Sequence, residues 1–426
     1  MTKQEKIILI LLASINFTHI LDFMIMMPLG NYLMPALNIS ARKFSDLISS
    51  YTYAAFLAGF TAAFFVDKFD RKKVLLFGYS GFLIGTIACG FAPDFTLLVA
   101  ARIMAGLFGG LIGAQVMSII ADLFGYERRG IATGAVMSSF AVASILGVPF
   151  ALSLSNHYGW HAPFLFIGIL GIVVIPLVMK YIPDMSGHLH HRSDDDHPLE
   201  MLHNVLRNKK QMLALLFSVL VMTGHFLIIP FVNPYLEFNL GFTKKQTPMV
   251  FLVGGLAALL AAIVLGKLSD KIGKLKVFTL TVFFSFGAVW AITNLPPVHF
   301  YLVLLLMSAW FIFGTGRAVT GQAMISNVVD PKFRGSFMSF NSSMQQLGTG
   351  FAATAAGYIV IKDKAGRIEH FEWVGYLSIA VLLLALLLAR YLFGTMDKPD
   401  ELNAPAGTPD TADSPVQNTV SSGIQN

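Results

Sequence analysis

Charge is what this chain has least of. Only 13% of its 426 residues are Asp, Glu, Lys or Arg and 55% are hydrophobic, whereas soluble domains carry roughly 25% charged residues. With a mean hydropathy of +0.67, that excludes a solvated globular enzyme and indicates a polytopic membrane protein. Cysteine is nearly absent. The single Cys89 lies in an apolar stretch, which excludes an intrachain disulfide and a cysteine-held metal cluster. There is no nucleotide-binding loop, metal-ligand cluster or nucleophile constellation, so neither an enzyme nor a cofactor is expected. The net charge of +6 is spread over short loops between apolar segments. That is the membrane-orientation pattern, not a nucleic-acid surface.

Apolar runs are abundant. About 20 such residues cross a bilayer as a helix, and runs of that kind fall at 6–28, 46–66, 74–93, 95–123, 130–155, 162–182, 212–235, 247–268, 276–295, 299–325, 336–361 and 373–394. The first is too long for a signal-peptide core and lacks a small-residue cleavage site, so it is read as a retained helix. The expected organisation is an all-α membrane protein. A six-helix bundle covers 1–182, a cytoplasmic linker 183–210, a second bundle 211–395 and a disordered tail 396–426. With the N-terminus inside, the inner segments carry 21 lysines and arginines and the outer loops 7. Both termini are therefore expected in the cytoplasm. Arg102 and Arg317 fall within spans.

The halves echo each other. Asp67-Lys68-Phe69-Asp70-Arg71-Lys72 follows the second span and Asp270-Lys271-Ile272-Gly273-Lys274 the eighth, an offset of 203. Glu127-Arg128-Arg129-Gly130 and Lys332-Phe333-Arg334-Gly335 repeat at 205. A near-constant offset argues for two six-helix pseudo-repeats in the same orientation, with a central cavity between them near the midplane.

At these residues the chain resembles the major facilitator superfamily, over its length to about residue 395. That family's loop reads Gly-x-x-x-Asp-(Arg/Lys)-x-Gly-(Arg/Lys)-(Arg/Lys). Gly266, Asp270, Lys271, Gly273 and Lys274 match it in the second half. In the first half Asp67, Lys68, Arg71 and Lys72 remain, but Ala63 and Asp70 replace the glycines, leaving the tightness of that turn open. The resemblance implies that Asp67 docks near the cytoplasmic start of helix 11, closing an inner gate. A blander reading, that these charges only fix topology, does not explain the repeated aspartate.

One acidic residue, Asp22, lies inside the first span, where a carboxylate costs about 2.5–3.5 kcal/mol by insertion scales. Asn16, His19, Asp22 and Met26 share a face at helical spacing. Asp22 lies about 9 Å and Arg102 about 10 Å from the same membrane surface, at matching depth. Arg102-Ile103-Met104-Ala105-Gly106, with Gly109 and Gly110, also resembles the family's helix-4 signature, whose arginine is tied to proton transfer. Small residues Gly106, Gly109 and Gly113 on that face permit close helix approach. Two readings stand: Asp22 exchanges Arg102 for a proton, with His19 as relay, or the pair is a structural ion pair. Ser218, Met222 and His225, then Trp310, Gly314, Arg317 and Gly321, then Asn341, Gln345 and Gly348 form faces of three later helices. They are substrate ligands or interhelical hydrogen bonds.

In the fifth helix Gly134, Gly147 and Pro149 partly match the family's antiporter pattern, with Ala143 replacing a glycine. With Asp22 and Arg102, this looks like the drug and sugar-efflux branch of proton antiporters. The expected partners are a small-molecule substrate, protons and the lipid bilayer of a bacterial inner membrane, and the expected state is a monomer. A proton symporter importing a sugar or organic acid is the alternative. The run from His188 to His197 has no fixed ligand spacing and is read as a solvated linker, with no metal.

Overall fold

The computed structural model describes residues 2–62, 64–186, 207–329, 334–363 and 366–394, with backbone alone at 67, 126, 127, 335 and 336. The His-rich stretch and the tail lie outside the described residues. Twelve long helices follow one another among the described residues. They are α1 (Lys3–Met26), α2 (Ala41–Ala62), α3 (Arg71–Phe91), α4 (Phe95–Leu123), α5 (Tyr126–Val142, continued by Ala143–Gly147 and Val148–Tyr158), α6 (Ala162–Tyr181), α7 (Lys209–Phe226), α8 (Thr247–Ile272), α9 (Lys274–Thr293), α10 (Phe300–Ser326), α11 (Arg334–Ile359) and α12 (Phe371–Phe393). Short helices Gly30–Ala36 and Ile229–Phe238 extend α1 and α7 past prolines Pro28 and Pro230, which interrupt the backbone ladder at corresponding places. A two-residue hairpin, Ile361–Lys362 with Ile368–Glu369, joins α11 to α12.

Helix starts follow local chemistry. Thr2 and Glu5 form a reciprocal capping box before α1, and the Asp94 and Asn208 side chains accept from the first-turn amides of α4 and α7. Large apolar side chains such as Ile10, Phe77, Ile169, Leu260, Phe283 and Leu305 stay exposed. An apolar exterior of that extent is a hydrocarbon-facing surface.

Ten of the helical segments are long and apolar enough to cross a membrane; α2 and α11 are the exceptions. Both are long, at 22 and 26 residues, and both are polar because each presents a face to the other across the interface between halves. An added Cβ at Gly350 would meet the Tyr53 ring at 2.5 Å, and one at Gly357 would meet Ser45 at 2.4 Å. Tyr53 and Thr354 hydroxyls lie 3.0 Å apart, and Arg42 donates to the Tyr358 hydroxyl at 2.8 Å. Small residues and hydroxyls draw two membrane helices together where lipid gives no hydrophobic drive. The boundaries also moved: α2 starts at Ala41, five residues earlier than the apolar run suggested, because its first turn is polar.

The cores are distributed unequally. Lys3 and Phe393 begin and end the helical bundle at one end, called here the terminal end. At the opposite, far end a single apolar cluster joins the halves, with Leu29, Phe44 and Phe164 of the first packed beside Phe231, Phe251 and Phe371 of the second. Near the terminal end there are two clusters, one around Leu12, Tyr79 and Ile120 and another around Phe217, Phe278 and Leu386. Towards the terminal end each half keeps its own apolar cluster, while the α2–α11 seam, where Phe60 meets Phe340 at 5.7 Å, still joins them.

Candidate functional site

Helices α1 and α4 bring Asp22 and Arg102 together. Arg102 Nη1 donates to Asp22 Oδ2 at 2.8 Å, and both side chains are buried. The guanidinium also lies over the Tyr51 ring of α2, 4.3 Å from its centroid, a contact that partly replaces lost hydration. Sequence reasoning missed Tyr51. The close approach depends on glycine: a Cβ at Gly106 would sit 2.3 Å from the Tyr51 carbonyl oxygen. A Cβ at Gly109 would meet the Tyr51 hydroxyl at 2.8 Å and His19 Nε2 at 3.1 Å. Around this pair Asp22 Oδ1, His19 Nε2, Tyr51 OH and Arg102 Nε are buried without a hydrogen-bond partner. A buried network with open donors and acceptors can take up or release a proton or a polar ligand.

A second arginine site sits between α7 and α10. Arg317 is 1% exposed and its Nη2 lies 3.3 Å from His225 Nδ1. The imidazole stacks on Trp310, with centroids 4.8 Å apart and planes 20° from parallel. Gly314 leaves room here, since a Cβ would stand 3.0 Å from His225 Cε1. Two turns of α7 nearer the terminal end than His225, Ser218 donates to Asn341 Oδ1.

The two sites are related by the repeat, a signal available in the sequence but not used. An offset of 203 carries Asp22-Phe23 onto His225-Phe226 and Tyr32-Leu33 onto Tyr235-Leu236. Phe23 and Phe226 touch each other, 5.8 Å between centroids. Asn38 and Gly241, also 203 apart, both take left-handed backbone. At offset 205, Arg129 donates to Ala121 O and Arg334 to Ser326 O, each capping the end of the preceding helix.

Other candidates lie elsewhere. Asn16 donates to Val136 O at 3.3 Å, tying α1 to α5, and Met26 belongs to the shared far-end core. Gln345 pairs with Gln322 at 3.2 Å in an exposed position. Arg71 pairs with Asp122 at 3.0 Å and Lys72 with Asp184 at 3.2 Å, both within the first half. The Asp67 side chain lies outside the described residues. Asp270 is exposed, Gly266 accepts from Ser269, and Lys274 starts α9 directly after Gly273, whose φ is 105°. Asp70 needs no glycine conformation. At φ −56° it caps α3 by accepting from Lys73 N, and it also accepts from Met185 N. Gly147 lies against Leu21 in a π-helical turn of α5 that precedes Pro149, and Gly255 of α8 closes on Ser144 and Ile145 of the same turn. Such turns recur at functional interfaces.

At the far end a cross-half latch was not foreseen. Tyr32 donates to Asn156 Oδ1 at 2.7 Å, Asn156 donates to Lys244 O at 3.1 Å, and the Lys244 ammonium lies 4.4 Å from the Tyr32 ring centroid.

With that geometry in view, comparison with known proteins is informative. The Major Facilitator Superfamily model matches residues 12–321 and 214–422. The MFS-type transporter YbcL of Bacillus subtilis (strain 168) is 24% identical over 355 residues, covering 83% of this chain and 87% of its own. YceJ of the same organism is 24% identical over 389 residues, covering 90% and 96%. Among solved structures, a D-xylose-proton symporter superposes with a TM-score of 0.72 at 17% identity, covering 92% of this chain and 99% of its own. A bacterial homologue of the human lysosomal transporter Spinster, in an inward-facing, unoccupied conformation, gives 0.72 at 15% identity, covering 95% and 100%.

Proposed function

The chain belongs to the Major Facilitator Superfamily, and from that premise we propose that it is a proton-driven antiporter exporting small molecules across a bacterial inner membrane. It is a multi-pass membrane transporter and not an enzyme. The observation that carries the proton reading is the Asp22–Arg102 pair, fully buried at 2.8 Å with one carboxylate oxygen and the neighbouring His19 Nε2 left unpartnered. A structural pair would be expected to satisfy its remaining polar atoms. In the proposed cycle a proton displaces Arg102 from Asp22, and the freed guanidinium and neutral acid favour the reverse-facing state. Each unit of charge moved inward with the membrane potential contributes about 2.3 kcal/mol per 100 mV.

With both termini in the cytoplasm, as the lysine and arginine bias suggests, the terminal end is the inner mouth and the joined far end the closed outer gate. The π-helical turn of α5 against α8 supports a hinge at that gate. A proton symporter importing a sugar or organic acid is the second reading, favoured by the buried cation Arg317, which has no carboxylate partner among the described residues. Fold likeness does not fix direction.

The test uses inside-out vesicles energised with an acidic lumen and a panel of dyes, drugs and sugars. Substrate-dependent proton release that is lost in Asp22→Asn establishes antiport through Asp22. Release retained in full by Asp22→Asn rules that role out, and uptake of protons with substrate favours symport.

A further inference from the structure

Asp22 and His225 occupy corresponding positions in the repeat, and each holds an arginine from the helix paired with its own. The partners differ in charge. Arg102 faces a carboxylate, whereas Arg317 faces a ring nitrogen, and no acidic side chain of the described residues lies within ion-pairing distance of Arg317. Among the described residues, the acidic side chains of the second half, Glu237, Asp270, Asp363, Glu369 and Glu372, all sit at helix ends or in loops, and Asp330 lies outside the described residues. Arg317 must therefore donate to an imidazole lone pair, which puts any His225 proton on the other nitrogen.

The atoms left over are of one kind. Arg317 Nη1, Trp310 Nε1 and Asn341 Nδ2 are buried without partners, and all three are donors. The first site, by contrast, still holds an open acceptor in Asp22 Oδ1. One unpaired guanidinium with further idle donors is a site short of an anion, because a buried cation of this kind is normally paired. Trp310 and His225 form a flat aromatic wall beside it, suited to the apolar body of a ligand. The surplus is a single positive charge, which a carboxylate balances and a phosphate dianion exceeds.

We infer that the Arg317–His225–Trp310 cluster is the recognition site for the carboxylate of an aromatic or apolar monocarboxylate that this transporter carries. This deepens the transport reading and rests on it, but not on proton coupling or direction. Arg317 holds the carboxylate by charge-assisted hydrogen bonds, and Trp310 covers the adjoining body. The same assignment explains why α10 carries glycine at 314, since a methyl group there would press on the imidazole.

The experiment is thermal unfolding of the purified full chain in detergent with 1-naphthoate or its neutral amide, 1-naphthamide. It needs no proton gradient, so it stands apart from the Asp22→Asn assay. The acid is expected to raise the unfolding temperature saturably and the amide at least about tenfold less effectively, since a charge-assisted contact is lost. Arg317→Gln should abolish the acid's effect while unfolding at or above the wild-type temperature without ligand. Arg317→Lys should keep part of it. Equal effects of acid and amide, no effect of either, or a full effect in Arg317→Gln would each overturn the assignment. The acid-to-amide comparison on the wild type decides the matter even if Arg317→Gln fails to fold.

Discussion

The two arginine sites set corresponding residues of α1 and α7 against an arginine, with different charge. In the first half, α1 offers a carboxylate to the α4 arginine; in the second, α7 offers an imidazole to the α10 arginine. The first site is balanced, and in the proposed cycle a proton opens it. The second pairs its guanidinium with a neutral ring nitrogen, and the inferred carboxylate would complete it. The corresponding positions Asp22 and His225 differ in charge, and on the proposed reading that difference separates coupling from recognition. The arginines themselves are not related by the offset, since 203 or 205 beyond Arg102 falls well before Arg317. What the halves share is the α1 and α7 partner.

Breaking the balanced site should have the largest effect. Asp22→Asn is expected to lower gradient-driven transport by about a hundredfold or more, in line with loss of an essential acid–base group, measured as initial rates in vesicles. Arg102→Gln leaves a buried carboxylate uncompensated and should cost about 3–5 kcal/mol of stability, read from denaturation in detergent. Arg317→Gln strands no buried counterion and should unfold at or above the wild-type temperature. Similar losses in both would refute the claim that the two sites differ in charge balance.

Equalising the sites comes next. His225→Asp gives Arg317 the carboxylate it lacks and should weaken monocarboxylate binding about tenfold, a difference of about 1.4 kcal/mol. The readout is the same unfolding shift. Tighter binding of the acid in His225→Asp would contradict the need for a net positive site.

Much of this was legible in the sequence. Twelve spans, the repeat, and the matching depth of Asp22 and Arg102 follow from apolar run length and helical rise. The partner of Arg317 was not, because it depends on which face of α7 meets α10, although the 203 offset from Asp22 to His225 pointed to it. Tyr51 was hidden for another reason: it belongs to α2, whose polar face made it one of the two weakest apolar runs. Arg71 and Lys72, expected at a gate, have Asp122 and Asp184 as their ion-pair partners, which spacing did not point to. Short-range partners of long basic side chains depend on loop geometry that spacing does not encode. The far-end latch joins three separate loops and helix ends, beyond the reach of any local pattern.

The repeated loop offers a smaller contrast. Gly273 sits at φ 105°, between α8 and α9, while Asp70 at φ −56° uses its side chain as a cap. Gly273→Ala should therefore cost about 1–2 kcal/mol from the left-handed backbone. Asp70→Ala should cost about 1 kcal/mol through the lost cap. Asp70→Gly should fall below that, by a few tenths. Thermal denaturation of the three variants checks the order. If Gly273→Ala is the mildest, the backbone difference between the loops is not what distinguishes them.

A comparably small effect should come from the far-end latch, where one apolar cluster spans both halves. Tyr32→Phe removes the hydrogen bond to Asn156 Oδ1 but keeps the ring beneath the Lys244 ammonium. The net worth of such a bond is about 0.5–1.5 kcal/mol, enough to shift a two-state population a few-fold but not to invert a strongly biased one. The chain's single cysteine makes this measurable, because Cys89→Ser gives a background in which one new thiol is the sole reporter. A cysteine at Ser153, near the far end of α5, should then label about two- to tenfold faster in Tyr32→Phe than in its Tyr32 parent. A cysteine at Gln322, facing the terminal end, should label correspondingly more slowly. Faster labelling at both positions would mean that Tyr32 holds the fold together generally; opposite changes would mean that it holds one end shut.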